Sequence, residues 1–329
     1  MSLFSRKGKE SGPCVPVGPN FKKAKRVSTL LSGTKFSLRM NRHMPIVAAE
    51  SQVMLEPSYN IFTYNGYKKD VDSDLEYFRL LTCSWKFRRA ILSSYVGHLE
   101  LSATIFKRSP CSQDKSLLIP SEFERYVLSD IKRNYGNQFD HGKSVHDVPI
   151  DWRVHDHLPV PSVSFEARPA TLAGNSRKVH FKFPLDHDIL VTFYFGFGQY
   201  AQGDIDEKDA AISPEPLYEL TRQVIGSVSL EPSESLQSEL DKIKKNYPNS
   251  KVSPNIKPIK WSTSEQDAEW EEYRRQQAES RKRFQDIKKS MDDPETQALL
   301  EKLNNASAEE LSRLMDQAID AEEKDKGES

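Results

Sequence analysis

Three stretches decide the fold: Val160-Pro-Ser-Val-Ser-Phe-Glu-Ala167, Lys178-Val-His-Phe-Lys-Phe183 and Ile189-Leu-Val-Thr-Phe-Tyr-Phe-Gly-Phe197. Each has the length of a strand and carries the Val, Ile and Phe that suit a pleated surface. With Ile150 to Val154 before them, they read as four consecutive strands. Pro184-Leu-Asp-His-Asp188 is a turn-length connection, so the last two are expected to form a hairpin.

Upstream, Phe36-Ser-Leu-Arg-Met40 alternates at period two, as a half-buried strand does. Ile46-Val47, Val53 to Leu55 and Ile61 to Tyr64 are further candidate strands, the last followed by the turn signal Asn65-Gly66. Ile91 to Tyr95 and His98 to Phe106 read as a hairpin joined around Gly97. Ser121-Glu-Phe-Glu124 has the capping-box pattern. It opens a helix with Phe123, Tyr126, Val127 and Ile131 on one face, ending near Tyr135-Gly136. Ser213-Pro214 opens a second helix through Leu217, Leu220, Val224 and Ile225. Long runs of adjacent strands favour an α+β class: an antiparallel sheet with helices packed on one face.

Of the 329 residues, 37% are hydrophobic and 29% charged, which is polar for a globular chain. The apolar residues concentrate between about Met44 and Leu230. The net charge of −1 conceals basic residues before Arg42 and acidic ones after Trp261. The expected organisation is a disordered basic arm over 1–34, an α+β domain over 35–232, a helix and linker over 233–261, and an acidic helical tail over 262–329. Within the last two, helices are expected over 235–247, 264–290, 294–303 and 309–321, with a polar linker over 248–258.

Three cysteines without CxxC spacing fit a reducing compartment, so a cytoplasmic location is expected. Met1-Ser2-Leu3-Phe4 has no apolar run behind it, so no secretory signal is expected. No apolar run approaches the ~20 residues that span a bilayer.

Several motifs bear on chemistry. The segment from His141 to His157 holds His146, His155 and His157 among aspartates, the ligand types of a borderline metal. His155 and His157 would share one face of a strand. Such loops also collect His and Asp for turn chemistry. Gly196-Phe-Gly198-Gln-Tyr-Ala201 matches GxGxxA, but a dinucleotide site needs a helix at that turn. Gln202-Gly-Asp-Ile-Asp is a poor helix start, so these glycines read as bending or ending a strand. Cys83, between Leu81 and Trp85, reads as a buried thiol, and Cys111 as a loop residue. No cofactor is expected. Lys22, Lys23, Lys25 and Arg26 could meet phosphate or an acidic surface. In the tail, Trp270 and Tyr273 lie three apart, and Phe284, Leu299 and Leu303 add a sparse apolar seam that could receive a partner.

The order of elements, with Pro216 to Leu230 as a late helix leading into a short strand, resembles the PsbP-like α+β domains, including the DcrB type. The resemblance covers at most Lys35 to Leu230. It implies a binding or adaptor module. The expectation is therefore a protein-interaction module of adaptor, chaperone or immunity type, reaching a protein partner through the sheet and the C-terminal helices. The alternatives are a metal-dependent enzyme using His141 to His157, and nucleic-acid binding through the basic arm.

Overall fold

The computed structural model describes residues 13–45, 52–70, 75–89, 94–110, 112–174, 176–291, 293 and 297. The chain forms two units, Met1–Thr263 and Ser264–Ser329. The first opens with β1 (Pro16–Val17), β2 (Lys25–Leu31), β3 (Thr34–Met40), β4 (Ser58–Tyr59) and β5 (Lys68–Lys69). Two long strands, β6 (Glu76–Arg89) and β7 (Tyr95–Lys107), lead to helix α1 (Pro120–Tyr135). A small hairpin, β8 (Phe139–Asp140) and β9 (Lys143–Ser144), precedes β10 (His146–Val154), β11 (Val163–Pro169), β12 (Arg177–Pro184) and β13 (Ile189–Gln199). Helices α2 (Ile205–Ala211) and α3 (Glu215–Gly226), strand β14 (Ser229–Glu231) and helix α4 (Glu234–Asn246) follow. Helix α5 (Ser264–Met291) lies in the second unit.

The class is α+β, built on a large antiparallel sheet. Eight strands run β1-β6-β7-β13-β12-β11-β10, with β5 also paired to β6. A four-stranded sheet runs β14-β3-β2-β4. Side chains alternate between faces along a strand, so the register assigns each residue to a face. Phe181, Phe193, Ala103 and Leu81 stand in one row across β12, β13, β7 and β6. Val179, Phe195, Leu101 and Cys83 form the next. This apolar face meets Phe36 and Leu38 of β3, and Leu217, Leu220, Val224 and Ile225 of α3. Phe36 lies 6.4 Å from Phe183 and 6.1 Å from Phe193, ring centre to ring centre.

The opposite face holds Val163, Phe165 and Ala167 of β11, and against them packs α1 through Phe123, Val127, Ile131 and Tyr135. The expectation of helices on one face is thus refined: α1 and α3 lie on opposite faces of the main sheet.

Several sequence expectations are corrected. The stretch expected as a disordered arm contains β2, paired with β3 through the two-residue turn Ser32-Gly33. Both turn residues have positive φ, as a type I′ hairpin requires. The lysine-rich start of β2 hid its inward Thr29 and Leu31. The hairpin expected around Gly97 instead joins β6 to β7 across 90–94, and Gly97 lies inside β7. Val53–Leu55 and Ile61–Tyr64 are not strands. Ile46-Val47, Cys111 and the helices expected over 294–303 and 309–321 fall outside the described residues, apart from 297.

The Ser121–Glu124 capping box does not form. The N-cap is Ile119, without a side-chain cap bond. Glu124 accepts instead from the backbone N–H and hydroxyl of Ser253. The stretch expected as a polar linker is consequently a strap held against α1. Trp152 Nε1 donates to Ser253 O at 2.9 Å, and Ile259 N donates to Val148 O at 2.9 Å. Val252, Ile256, Ile259 and Trp261 pack beside the α1 core. At Gly136 φ is −69°, so no left-handed residue closes α1. The poor start at Gln202 is in fact α2, with Asp204 and Glu207 forming a capping box.

Glycine at 97 answers a close approach: a Cβ there would lie 2.6 Å from the carbonyl oxygen of Gly198. Backbone in a central strand pair cannot yield cheaply. Gly97→Ala should therefore lower the unfolding free energy by about 1–3 kcal/mol in urea denaturation. Gly226→Ala, with nothing within 4 Å, should be neutral or stabilising by up to about 1 kcal/mol. Equal effects at the two sites would contradict the packing argument.

Candidate functional site

The α1-bearing face changes character along the sheet. Under α1 it is apolar. Beyond β11, the same face shows Lys182, Thr192, Thr104 and Arg79 in one row across β12, β13, β7 and β6. The next row holds His180, Tyr194, Ser102 and Thr82. Lys178, beside Gly196, lies in a third. Helix α1 borders this polar region. Tyr126, Asp130, Arg133, Asn134 and Tyr135 close one wall of a cleft of about 480 Å³. Leu75, Tyr77, Phe106, Leu190 and Tyr194 add apolar and aromatic lining, and Asp70 and Gln138 complete the rim.

The charges in the cleft are unevenly matched. Lys182 Nζ lies 2.8 Å from Asp130 Oδ2, with both side chains at most 10% exposed. Arg133 also bonds Asp130. Burial alone would push the Asp130 carboxyl up, but Lys182 and Arg133 outweigh it and hold the group below its ordinary range. Arg79 is exposed and Lys178 half-buried. Neither side chain has a hydrogen bond or ion pair among the described residues. Burial lowers the pKa of Lys178. His180 is stacked on Phe165 with ring centres 4.9 Å apart, and its Nε2 is 2.8 Å from Tyr135 Oη. Its Nδ1 is sealed from solvent without a partner. Burial, reinforced by Lys182, pushes His180 down to about 3, so the ring is neutral at physiological pH.

The sequence-derived metal candidates are dispersed. His146 is buried against Tyr135, ring centres 5.1 Å apart, on the α1 side. His155 packs on Phe181 at 5.1 Å, on the opposite face, and its Nε2 bonds Ser164 Oγ at 2.8 Å. His157 stands 5.6 Å from His155. Among the described residues, no group of three or more His, Cys, Asp or Glu is placed to hold a metal ion. His155 and His157 line a smaller pocket of about 200 Å³ near Arg153 and Tyr218.

The remaining candidates are also spread out. Lys22 and Lys23 lie on an exposed 3₁₀ turn, and Lys25 and Arg26 begin β2. Arg26 donates to Ser37 Oγ at 2.9 Å. Trp270 and Tyr273 meet on α5 with ring centres 5.5 Å apart and planes tilted by 36°. Phe284 on the same helix is 70% exposed. Leu299 and Leu303 lie outside the described residues. Gly196 and Gly198 sit within β13, where a Cβ on Gly198 would strike the His98 ring. Burial raises the Cys83 thiol to about 12.

No family model, curated protein or solved structure matches the chain. Among the described residues, no helix is long and apolar enough to cross a membrane.

Sequence reading missed the cleft, although a signal was present. Lys178, His180 and Lys182 alternate with Val179, Phe181 and Phe183. A strand with three cationic or imidazole groups on one face and three core residues on the other is half exposed to something polar.

His146 generates a pH prediction. Both ring nitrogens are buried without partners, and burial with nearby Lys178 lowers its pKa to about 4. The unfolded histidine titrates near 6.5. Between those values the unfolded chain binds more protons, so stability falls as pH drops from about 6.5 to 4. His155, lowered to about 4 chiefly by burial, acts in the same direction. His146→Phe should narrow the gap in urea midpoint between pH 7.5 and pH 5.0. An unchanged gap would remove His146 as a source of the acid sensitivity.

Proposed function

We propose that this chain is a non-covalent binding module whose working surface is the open polar half of the main sheet beneath α1. The observation that carries the reading is the cleft itself. A single sheet face passes from apolar packing under α1 to a polar row that runs from the buried Lys182 and Thr192 through the half-buried Thr104 to the exposed Arg79. Its volume of about 480 Å³ suits a small organic ligand. Aromatic walls with a few convergent polar groups are the usual make-up of such sites.

The chemistry of the lining favours binding over proton transfer. His180 is held near 3, far below the range of a useful base at neutral pH. Asp130 is already committed to two cations.

A protein partner is a second reading, supported by α5. Phe284 and Ile287 are 70% and 58% exposed and lie three residues apart on one helix. Exposed apolar pairs of this kind suit helix-in-groove recognition. This is the adaptor-type role that the order of elements implied, and it is compatible with a ligand-binding first unit.

The two readings separate by experiment. Thr104 lies on the cleft floor, so Thr104→Trp should fill it. Fragments that bind the native chain in saturation-transfer NMR should lose at least about ten-fold in affinity against that variant. Undiminished binding would place the ligand elsewhere. For α5, Phe284→Ser combined with Ile287→Ser should abolish retention of any protein that the full chain captures. Equal retention by the variant would remove the partner reading.

A further inference from the structure

The ligand class can be taken further, resting on the cleft reading above. Among the described residues, Arg79, Arg133, Lys178 and Lys182 line the cleft against Asp70 and Asp130, so four cations face two acids. Asp130 is shared by Lys182 and Arg133. Lys178 is left half-buried on the floor of the cleft, without an ion pair among the described residues. Its cross-strand neighbour Gly196 has no side chain, and the Tyr194 ring lies over that position, 3.3 Å from where a Cβ would stand. The hydroxyl-bearing ring of Tyr194 and the sealed, unpartnered Nδ1 of His180 lie in the next row. Tyr135, bonded to His180, supplies aromatic surface beside them, and Tyr77, Phe106 and Tyr126 line the far end of the cleft.

An unpaired ammonium in a partly dry site is costly, and a bound anion would remove that cost. Aromatic walls reward a flat apolar body, through area buried and ring stacking. We propose that the cleft binds a small aromatic anion, with Lys178 as its counter-ion and the tyrosine-rich walls holding its ring system. Arg79, at the far end of the Lys182 row, adds to the positive field that draws the ligand in.

Two dyes of nearly the same shape test this on the full-length chain. 8-Anilinonaphthalene-1-sulfonate carries a charge, and N-phenyl-1-naphthylamine does not. The anionic dye should bind with one-to-one stoichiometry and about ten-fold or more tighter than the neutral one. Lys178→Met should remove that preference while leaving the neutral dye within about two-fold, and Lys178→Arg should retain it. Near-UV circular dichroism of each variant establishes that the fold is intact. If both dyes bind equally to the native chain, or Lys178→Met keeps the preference, the assignment of charge is overturned and the cleft reading stands. If neither dye binds the folded protein, the cleft reading and the proposal fall together.

Discussion

The period-two register of β12, β13 and β7 is the constraint on which the rest of the molecule depends. It places Phe181, Phe193 and Ala103 on one face and Lys182, Thr192 and Thr104 on the other. A one-residue slip would exchange the two sets. It would drive an ammonium into the core and leave a run of phenylalanines beneath α1. The antiparallel ladder is extensive here, pairing every residue from Arg177 to Pro184 with β13. The cost of misplacing Lys182 and the gain from burying Phe181 therefore act on the same choice. The second sheet and α3 have somewhere to pack because that choice is made.

The buried polar groups on the apolar side show how a charge is normally accommodated. Arg177, 1% exposed, is held by Glu166 at 2.8 Å and Asp209 at 2.7 Å. Tyr218 donates to the second oxygen of Glu166, Gln199 donates to Asp209, and the guanidinium lies 5.3 Å from the Tyr218 ring centre. One network thus joins β11, β12, β13, α2 and α3. Charges satisfied to this degree fix how elements dock, and breaking such a set by removing one partner typically costs about 3–5 kcal/mol. The Glu124–Ser253 contact does a milder version of the same work, pinning the strap to α1.

Much of this architecture was legible in the sequence. The central strands, α1, α3 and α4 all carry their period openly, and β3 shows clean alternation through Phe36, Leu38 and Met40. What was not legible has particular causes. In β2 the charged residues Lys25 and Arg26 come first, so composition masked the alternation behind them. Glu124 has the right spacing for a capping box, but a tertiary partner 129 residues away claims the carboxylate. Which face each helix takes depends on chain crossings that no local pattern encodes. The histidines drew attention because imidazole is rare and chemically versatile, yet β10 and the loop after it distribute them over both faces of the sheet. The cleft is assembled from α1 and four strands distant in sequence, so it exists only once the register is known.

Lys182 and Lys178 sit four residues apart on the same face of the same strand, and the contrast between them bears on function. Lys182 is nearly sealed and has a carboxylate, a threonine hydroxyl and a helix above it. The Lys178 side chain is half-buried with neither ion pair nor hydrogen bond among the described residues. Folding alone would favour a threonine or serine at 178, which would keep the strand and remove the desolvation cost. Solubility would favour a lysine on an outer surface, where the head is fully hydrated. Placement on a central strand, beside Gly196 and near Tyr194 and Tyr135, serves neither end. Among the described residues no carboxylate is paired with Lys178, which is the role the proposed anion would take.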